Sequence, residues 1–137
     1  SPFSQNHRFN FPPWRLSCHI VLQIASMVKQ GDIIKVNFNP QAGHEQAGYR
    51  PALVVSNDFF NQKTNLTIVC PITNTNNRFP LHIPLDSRTV TTGVVLCEHV
   101  KALDLKARPF NVVESLPKDI LGKVIEVVFS EIEMLPD

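Results

Sequence analysis

Short apolar segments alternate with polar and proline-containing segments through most of the chain. In DIIKVNFNP, Ile34, Val36 and Phe38 alternate with polar residues, which predicts a half-buried strand that ends at Pro40. PALVVS (51–56) is a continuous apolar run, which is typical of a strand covered on both faces. These two segments predict a β-rich start to the folded part of the chain.

Three further segments are typical of strands. They are NLTIVCPIT (65–73), FPLHIPL (79–85) and TTGVVLCEHV (91–100). In the first, Leu66 and Cys70 belong to the face that the alternation predicts to be buried. Because the strands follow one another at short intervals, a small barrel or a strongly bent sheet is the expected way to cover them.

The segment 117–132 has a different period. Its apolar residues recur on one helical face, and Pro117 suits the first turn of a helix. That face consists of Ile120, Leu121, Val124, Ile125, Val128 and Ile132. The predicted fold class is therefore mainly β with helices (α+β), ending in one C-terminal helix.

The 137 residues suit one domain, but the first 26 differ from the rest. SPFSQNHRFNFPPW is rich in Pro, Asn and Phe and has no sustained period. The apolar run that follows is interrupted at Cys18, His19 and Gln23 and has no clear cleavage motif of a signal peptide. We therefore expect an N-terminal extension, non-native or poorly ordered, at 1–26 and one domain at 27–137.

The charge of the chain narrows the classes of partner that it can bind. The formal net charge is only +1, so no strong basic field indicates a nucleic-acid partner. Nine basic and six acidic residues in 27–113 nevertheless make the body mildly basic, whereas 114–137 is acidic.

Cys18, Cys70 and Cys97 form no CxxC pair, which favours a reduced cytoplasm and a core-filling role. No run of about 20 apolar residues predicts a membrane span.

The segment GHEQAGYRPALVVS (43–56) crowds acid, base and amide groups ahead of an apolar strand. The group comprises His44, Glu45, Gln46, Tyr49 and Arg50. Taken by residue type, it is either a solvated turn supported by two glycines or a loop that carries chemistry.

Three segments in order resemble the MazF/PemK family of toxin endoribonucleases. They are GDIIKVNFNPQAGHEQAGYRPALVVS, VCPITN and TTGVVLCEHVKALDLKAR, and the resemblance covers about residues 27–133. It implies an SH3-like small barrel with added helices, a homodimer, and sequence-specific cleavage of single-stranded RNA without a metal or other cofactor. It also implies a cognate antitoxin as partner and a cytoplasmic location.

Metal-independent RNA cleavage most simply uses the neighbouring 2′-hydroxyl as nucleophile, so the protein must stabilise the phosphorane and move two protons. Arg50 has a permanent charge and five donors that match phosphate oxygens. Thr73 offers a hydroxyl for a phosphate oxygen, and the resemblance implies that it stands beside the arginine; its alternative role is to cap a turn.

Proton transfer needs another group, because arginine is a poor acid or base at neutral pH. His44 is the candidate, with a solvated loop histidine as the alternative. In the branch resembling the Kid toxin, an arginine and an aspartate occupy the positions of Leu96 and Glu98. The missing arginine leaves the cationic role to Arg50. Glu98 keeps a carboxylate whose alternative roles are a base, as a weaker catalytic candidate, and a partner for Arg50 or Lys101.

Sequence recognition requires groups that read unstacked bases. The predicted RNA-binding residues are Glu45, Gln46, Tyr49, Asn74, Asn76, Asn77 and Lys101. Glu45 has two further possible roles, which are to orient Arg50 and to cap the turn. Phe59 and Phe60 are predicted to lie in the core rather than to stack on bases.

Two other functions remain open at the level of sequence. A CcdB-type toxin shares the barrel and binds DNA gyrase without nuclease chemistry, but such toxins rely on a C-terminal Trp-Gly-Ile. This sequence ends in EIEMLPD, and its one tryptophan is Trp14. A catalytically silent binding module is the second alternative, and the presence of both Arg50 and Thr73 disfavours it.

Overall fold

The computed structural model describes residues 28–38, 49–75 and 80–137. Within these ranges the strands are β1 (Asp32–Asn37), β2 (Tyr49–Val54), β3 (Thr67–Thr73), β4 (His82–Pro84), β5 (Val94–Leu96), β6 (Lys101–Leu103) and β7 (Phe110–Ser115). The helices are α1 (Asp58–Thr64), a 3-10 turn (Cys97–His99) and α2 (Lys118–Ile132). The predicted extension at 1–26 lies outside the described residues.

The strands form one antiparallel sheet in the order β4-β5-β3-β2-β1-β7, and β6 also pairs with β3. Strand β3 is central, because it pairs with β2 along one edge and with both β5 and β6 along the other. The mainly β, α+β class predicted from the sequence is confirmed.

One group of buried residues, here called the barrel core, fills the inside of the bent sheet. It consists of Val28, Ile34, Val36, Ala52, Val54, Val69 and Leu103, with Phe38, Leu105 and Phe110 packed against it. Across this core the Lys101 Nζ lies 5.0 Å from the centre of the Phe38 ring, so the end of β1 meets β6. The contact joins strands that are not neighbours in the sheet order, as the curl of a small barrel requires.

The opposite face of the sheet packs against α2. This helix-side core contains Ile33, Leu53, Val55, Cys70, Ile72, Val95, Cys97, Leu116, Ile120 and Val124. The predicted C-terminal helix is confirmed, and Pro117 is its N-terminal cap residue. The predicted apolar face does not extend to its end, however, because Ile132 is 74% exposed and the last turn has no core beneath it.

The alternation predicted for two strands is partly wrong. Strand β3 buries Thr67 and Val69 as well as Cys70, and β1 buries Ile33 as well as Ile34. Both strands lie between the barrel core and the helix-side core, so neither has a solvent face along most of its length. The continuous apolar run of β2 is covered on both faces, as predicted.

Helix α1 is an element that the apolar pattern did not predict. Asn57 caps its N-terminus by accepting a hydrogen bond from the Phe60 backbone N–H at 2.8 Å, and Asn65 ends it in the left-handed conformation. Phe59 and Phe60 are only half-buried on this helix, so their predicted place in the core is wrong.

The other differences between the predicted and the observed elements concern strands of three residues and an edge strand with little apolar alternation. The predicted strand at 91–100 divides into β5 and the 3-10 turn, and the predicted strand at 79–85 is observed as His82–Pro84. Strand β7 shows no apolar alternation, because Val112 and Val113 are both exposed. No helix within the described ranges is long and apolar enough to cross a membrane.

The cysteine prediction is confirmed for the two thiols in the described part of the chain. Cys70 and Cys97 are free and fully buried in the helix-side core. Burial raises the pKa of each thiol to about 12. Both therefore stay protonated and serve as small core side chains.

Candidate active site

Arg50 and Thr73 lie on neighbouring strands at the same end of the sheet. Strands β2 and β3 pair with Ala52 opposite Pro71, and continuing this register by two residues brings Arg50 opposite Thr73. Residues directly opposite each other in an antiparallel pair project from the same face, with Cβ atoms about 5 Å apart. Because that face is the one that carries Ala52 in the barrel core, both side chains lie at the rim of this core.

The two side chains are available to a ligand. Arg50 is exposed and forms no ion pair with any residue in 28–38, 49–75 or 80–137. The Thr73 Oγ1 accepts a hydrogen bond from the Thr75 backbone N–H at 3.2 Å. A hydroxyl that accepts one bond still has its own proton to donate. The pair therefore offers a guanidinium and an O–H donor on one face.

The end of β1 is held beside this pair. Val36 is opposite Arg50, and the Arg108 Nη1 donates to the backbone carbonyls of Asn37 and Phe38 at 3.3 and 3.2 Å. Tyr49 is opposite Asn37 and is half-buried. Because side chains alternate along a strand, Tyr49 projects from the opposite face to Arg50.

The structure describes two other predicted RNA-binding residues. Asn74 follows Thr73 and is exposed, and its Oδ1 accepts a hydrogen bond from the Thr92 hydroxyl at 2.9 Å. Lys101 is exposed on β6 opposite Val69, on the barrel-core side of the sheet. The remaining predicted site residues lie outside the described residues: His44, Glu45, Gln46, Asn76 and Asn77.

Glu98 belongs to a separate cluster. Its Oε2 is 2.8 Å from the Nε2 of His82 and 3.6 Å from the Nε2 of His99. The His82 side chain is only 5% exposed and that of Glu98 is 26% exposed. His82 is opposite Leu96, two strands from Thr73 and two residues further along the register. By ordinary sheet spacing this is about 12 Å between Cα atoms.

The His82–Glu98 contact also governs the charge of the carboxylate. Burial by itself raises the pKa of Glu98, but the hydrogen bond from His82, a backbone hydrogen bond and the charges of both histidines outweigh it and hold the pKa below its ordinary value. The sequence analysis did not single out His82. The only sequence signal for His82 was its place within the apolar segment FPLHIPL. A buried histidine with a purely structural hydrogen bond produces the same pattern.

The arrangement suits recognition of a phosphate by a cation and a hydroxyl. Among the described residues, no group of three or more His, Cys, Asp or Glu side chains is placed to hold a metal ion. Arg50 and Thr73 lie on adjacent strands, so they can contact different oxygens of one phosphate group. A cation and an O–H donor that contact one phosphate group can stabilise charge developing on a phosphorane.

Sequence comparisons find relatives over most of the chain. Residues 29–129 match the model of the PemK-like, MazF-like toxin family of type II toxin-antitoxin systems. The chain is 38% identical over 104 residues to the endoribonuclease PemK of Escherichia coli, covering 73% of this chain and 78% of that protein. It is 43% identical over 91 residues to the endoribonuclease toxin ChpB of Escherichia coli K12, covering 61% and 75% of the two chains.

Solved structures show the same fold. MazF from Deinococcus radiodurans superposes with a TM-score of 0.68 at 36% identity, covering 78% of this chain and 97% of that one. A MazE–MazF structure from the same organism gives a TM-score of 0.70 at 33% identity, covering 79% and 98%. The bent sheet with its C-terminal helix is thus the barrel of these proteins, as predicted.

Proposed function

Since the chain belongs to the PemK-like, MazF-like toxin family of type II toxin-antitoxin systems, we propose that it is an endoribonuclease toxin that cuts single-stranded RNA at short sequences. The observation that carries this proposal is the β2–β3 register, which, continued by two residues beyond Ala52 and Pro71, sets the exposed Arg50 opposite the half-buried Thr73. The presence of both a cation and a hydroxyl donor disfavours a catalytically silent binding module.

Arg50 and Thr73 stabilise the reacting phosphate. The guanidinium donates to one or two non-bridging oxygens, and its charge offsets the negative charge of the phosphorane. The Thr73 hydroxyl accepts from the Thr75 N–H and donates its own proton to another phosphate oxygen. The backbones that carry both donors are held in neighbouring strands, which limits the reorganisation needed as the charge develops.

The chemical step transfers two protons. A base removes the proton of the 2′-hydroxyl, the 2′-oxygen attacks phosphorus, and the P–O5′ bond breaks as the departing 5′-oxygen gains a proton. The products are a 2′,3′-cyclic phosphate and a 5′-hydroxyl. His44 is the proposed proton-transfer group, and Glu98 is the second candidate. This chemistry uses no metal ion.

Incubating the chain with a defined single-stranded RNA in EDTA tests the proposal directly. We expect cleavage to continue in EDTA, with fragment ends sequenced as 2′,3′-cyclic phosphate and 5′-hydroxyl. Products with 5′-phosphate ends, or activity that EDTA abolishes, would contradict the mechanism. Absence of cleavage with retained gyrase binding would instead support the CcdB-type alternative.

We also propose a cognate antitoxin as partner. The MazE–MazF structure from Deinococcus radiodurans shows a relative of this chain that was solved with a second protein. An acidic segment that folds on binding could cover the exposed Arg50 and block access of RNA. Titration of the co-encoded partner should abolish cleavage at a stoichiometric ratio, and undiminished activity would refute this part of the proposal.

A homodimer and a cytoplasmic location complete the proposed function. The end of α2 and the residues after it expose large apolar side chains, namely Phe129, Ile132, Met134 and Leu135. A second copy of the chain would cover part of this surface. Light scattering should give about twice the mass of one chain. The free thiols of Cys70 and Cys97 suit a reducing cytoplasm.

A further inference from the structure

The segment between β4 and β5 is tied firmly to the rest of the domain. The two carboxylate oxygens of Glu114 on β7 accept hydrogen bonds from the backbone N–H groups of Val90 and Thr91 at 3.0 and 2.8 Å. Within the segment, the buried Thr89 hydroxyl donates to the Thr91 carbonyl at 2.7 Å. These contacts anchor residues 86–93, here called the β4–β5 loop, to β7.

The β4–β5 loop packs directly on the end of β3 that carries Thr73. Gly93 has φ +115°, and a Cβ atom there would lie 2.3 Å from the carbonyl oxygen of Thr73. No side chain fits such a distance, so only glycine allows the two backbones to approach this closely. Val94, the next residue, is opposite Thr73 in the β3–β5 pair. The position of Thr92 relative to Thr73 and Asn74 is consequently well defined.

Thr92 uses that position to contact Asn74. Its hydroxyl donates to the Asn74 Oδ1 over 2.9 Å, and both residues are exposed. A carboxamide has one acceptor oxygen and two N–H donors. With the oxygen occupied by Thr92, the Asn74 Nδ2 presents donors to a neighbouring ligand.

We propose that Thr92 is a positioning residue that fixes the Asn74 carboxamide, so that its N–H donors select a keto base at one position of the cleaved RNA. The proposal rests on the proposed ribonuclease function. Uracil and guanine present a keto oxygen where cytosine and adenine present an amino group. An N–H donor bonds the keto oxygen, and it meets another donor when the base carries an amino group.

The test compares Thr92→Val, which removes the hydroxyl at nearly constant volume, with Thr92→Ser, which keeps it. The substrates are RNA oligonucleotides that differ by one U-to-C or G-to-A exchange at each position of the cleaved site. The wild-type chain should prefer the keto base at one position. Thr92→Val should reduce that preference by about three- to tenfold, the effect of one hydrogen bond, and Thr92→Ser should retain most of it.

Ser87→Ala is the matched control. Ser87 is an exposed hydroxyl residue of the same segment, and its side chain makes no hydrogen bond to another described residue. Its loss should leave both the rate and the base preference unchanged. Thermal unfolding of all variants shows whether a lost preference reflects a lost fold.

A double-mutant cycle with Asn74→Ala tests whether Thr92 acts through Asn74. If it does, Thr92→Val should have no further effect on base preference once Asn74 is alanine. Additive effects would overturn the proposal, as would an unchanged preference or an equal loss of rate on all substrates in Thr92→Val. A wild-type chain that cuts no RNA would overturn the proposed function itself, which is a different result.

Discussion

Two clusters in this domain contain the residue types used for phosphate chemistry, but their surroundings differ. The continued β2–β3 register sets Arg50 opposite Thr73 at a strand end, where Arg50 is exposed and has no ion-pair partner among the described residues. Glu98 is already hydrogen-bonded to His82, which is almost fully buried, and has His99 nearby. Residue type alone therefore does not identify a reactive group. A group that must meet substrate needs unused hydrogen-bonding capacity and access.

Replacing Arg50 is the most severe test of this distinction. Arg50→Ala should slow RNA cleavage by about 10²- to 10³-fold, because it removes the cation that stabilises the phosphorane. Stability should change by less than about 0.5 kcal/mol, since the side chain is exposed. Single-turnover cleavage and thermal unfolding provide the two measurements.

Lys123→Ala is the control for Arg50, because it removes another exposed cation, on α2. It should leave the cleavage rate intact. An equal loss in both variants would mean that the general charge of the chain, and not the position of Arg50, supports catalysis.

Thr73 tests the second half of the exposed cluster. Thr73→Val should slow single-turnover cleavage by about ten- to a hundredfold, because a hydrogen bond to a charged phosphate oxygen is lost. Thr73→Ser keeps the hydroxyl and should recover most of the rate. Equal rates in valine and serine variants would exclude the hydroxyl from catalysis.

The cluster of Glu98 with His82 should respond in stability more than in rate. Glu98→Ala leaves His82 without its carboxylate partner and should lower the free energy of unfolding by about 1–3 kcal/mol. The cleavage rate should fall by less than about threefold, a change worth under 1 kcal/mol. Urea unfolding at pH 7 and single-turnover cleavage measure the two effects. A large loss of rate in Glu98→Gln, with stability retained, would instead identify Glu98 as the catalytic base.

The pH dependence of stability gives an independent check on Glu98. The pKa of this carboxyl in the folded state lies below its ordinary 4.5, so the ionised form stabilises the fold at pH values above 4.5. That contribution is lost as the pH falls through the lowered pKa. The stability difference between wild type and Glu98→Ala should therefore be full at pH 6 and should shrink below pH 4.5. A difference that is constant with pH would contradict the shift.

The smallest expected effect belongs to Lys101. As a phosphate contact, Lys101→Ala should weaken RNA binding a few-fold for all sequences and reduce the slope of log affinity against log salt by about 0.7. Binding titrations of an uncleavable RNA at several salt concentrations measure this slope. An unchanged slope would restrict Lys101 to its contact with the Phe38 ring.

The segments that could be predicted are those whose pattern is local and long. PALVVS predicted a doubly covered strand, and the 3.6-residue period of 117–132 predicted α2. Strand β6 was not predicted, and β4 and β5 were predicted to be longer than they are, because a strand of three residues contains too little periodicity. Helix α1 had end signals, Asn57 and Asn65, but no core-facing stripe, since it buries no residue completely.

The sequence by itself determined the family, the chemical types at the site, the longer apolar strands and the C-terminal helix. Only the tertiary structure decided which side chains meet. The continued β2–β3 register sets Arg50 opposite Thr73, His82 bonds Glu98, and Thr92 bonds Asn74, and each pair joins segments on different strands or loops. Such pairings depend on strand register, which is set by packing both cores at once. No local pattern contains that information, because a shift of one residue in register would turn every side chain of the strand to the other face.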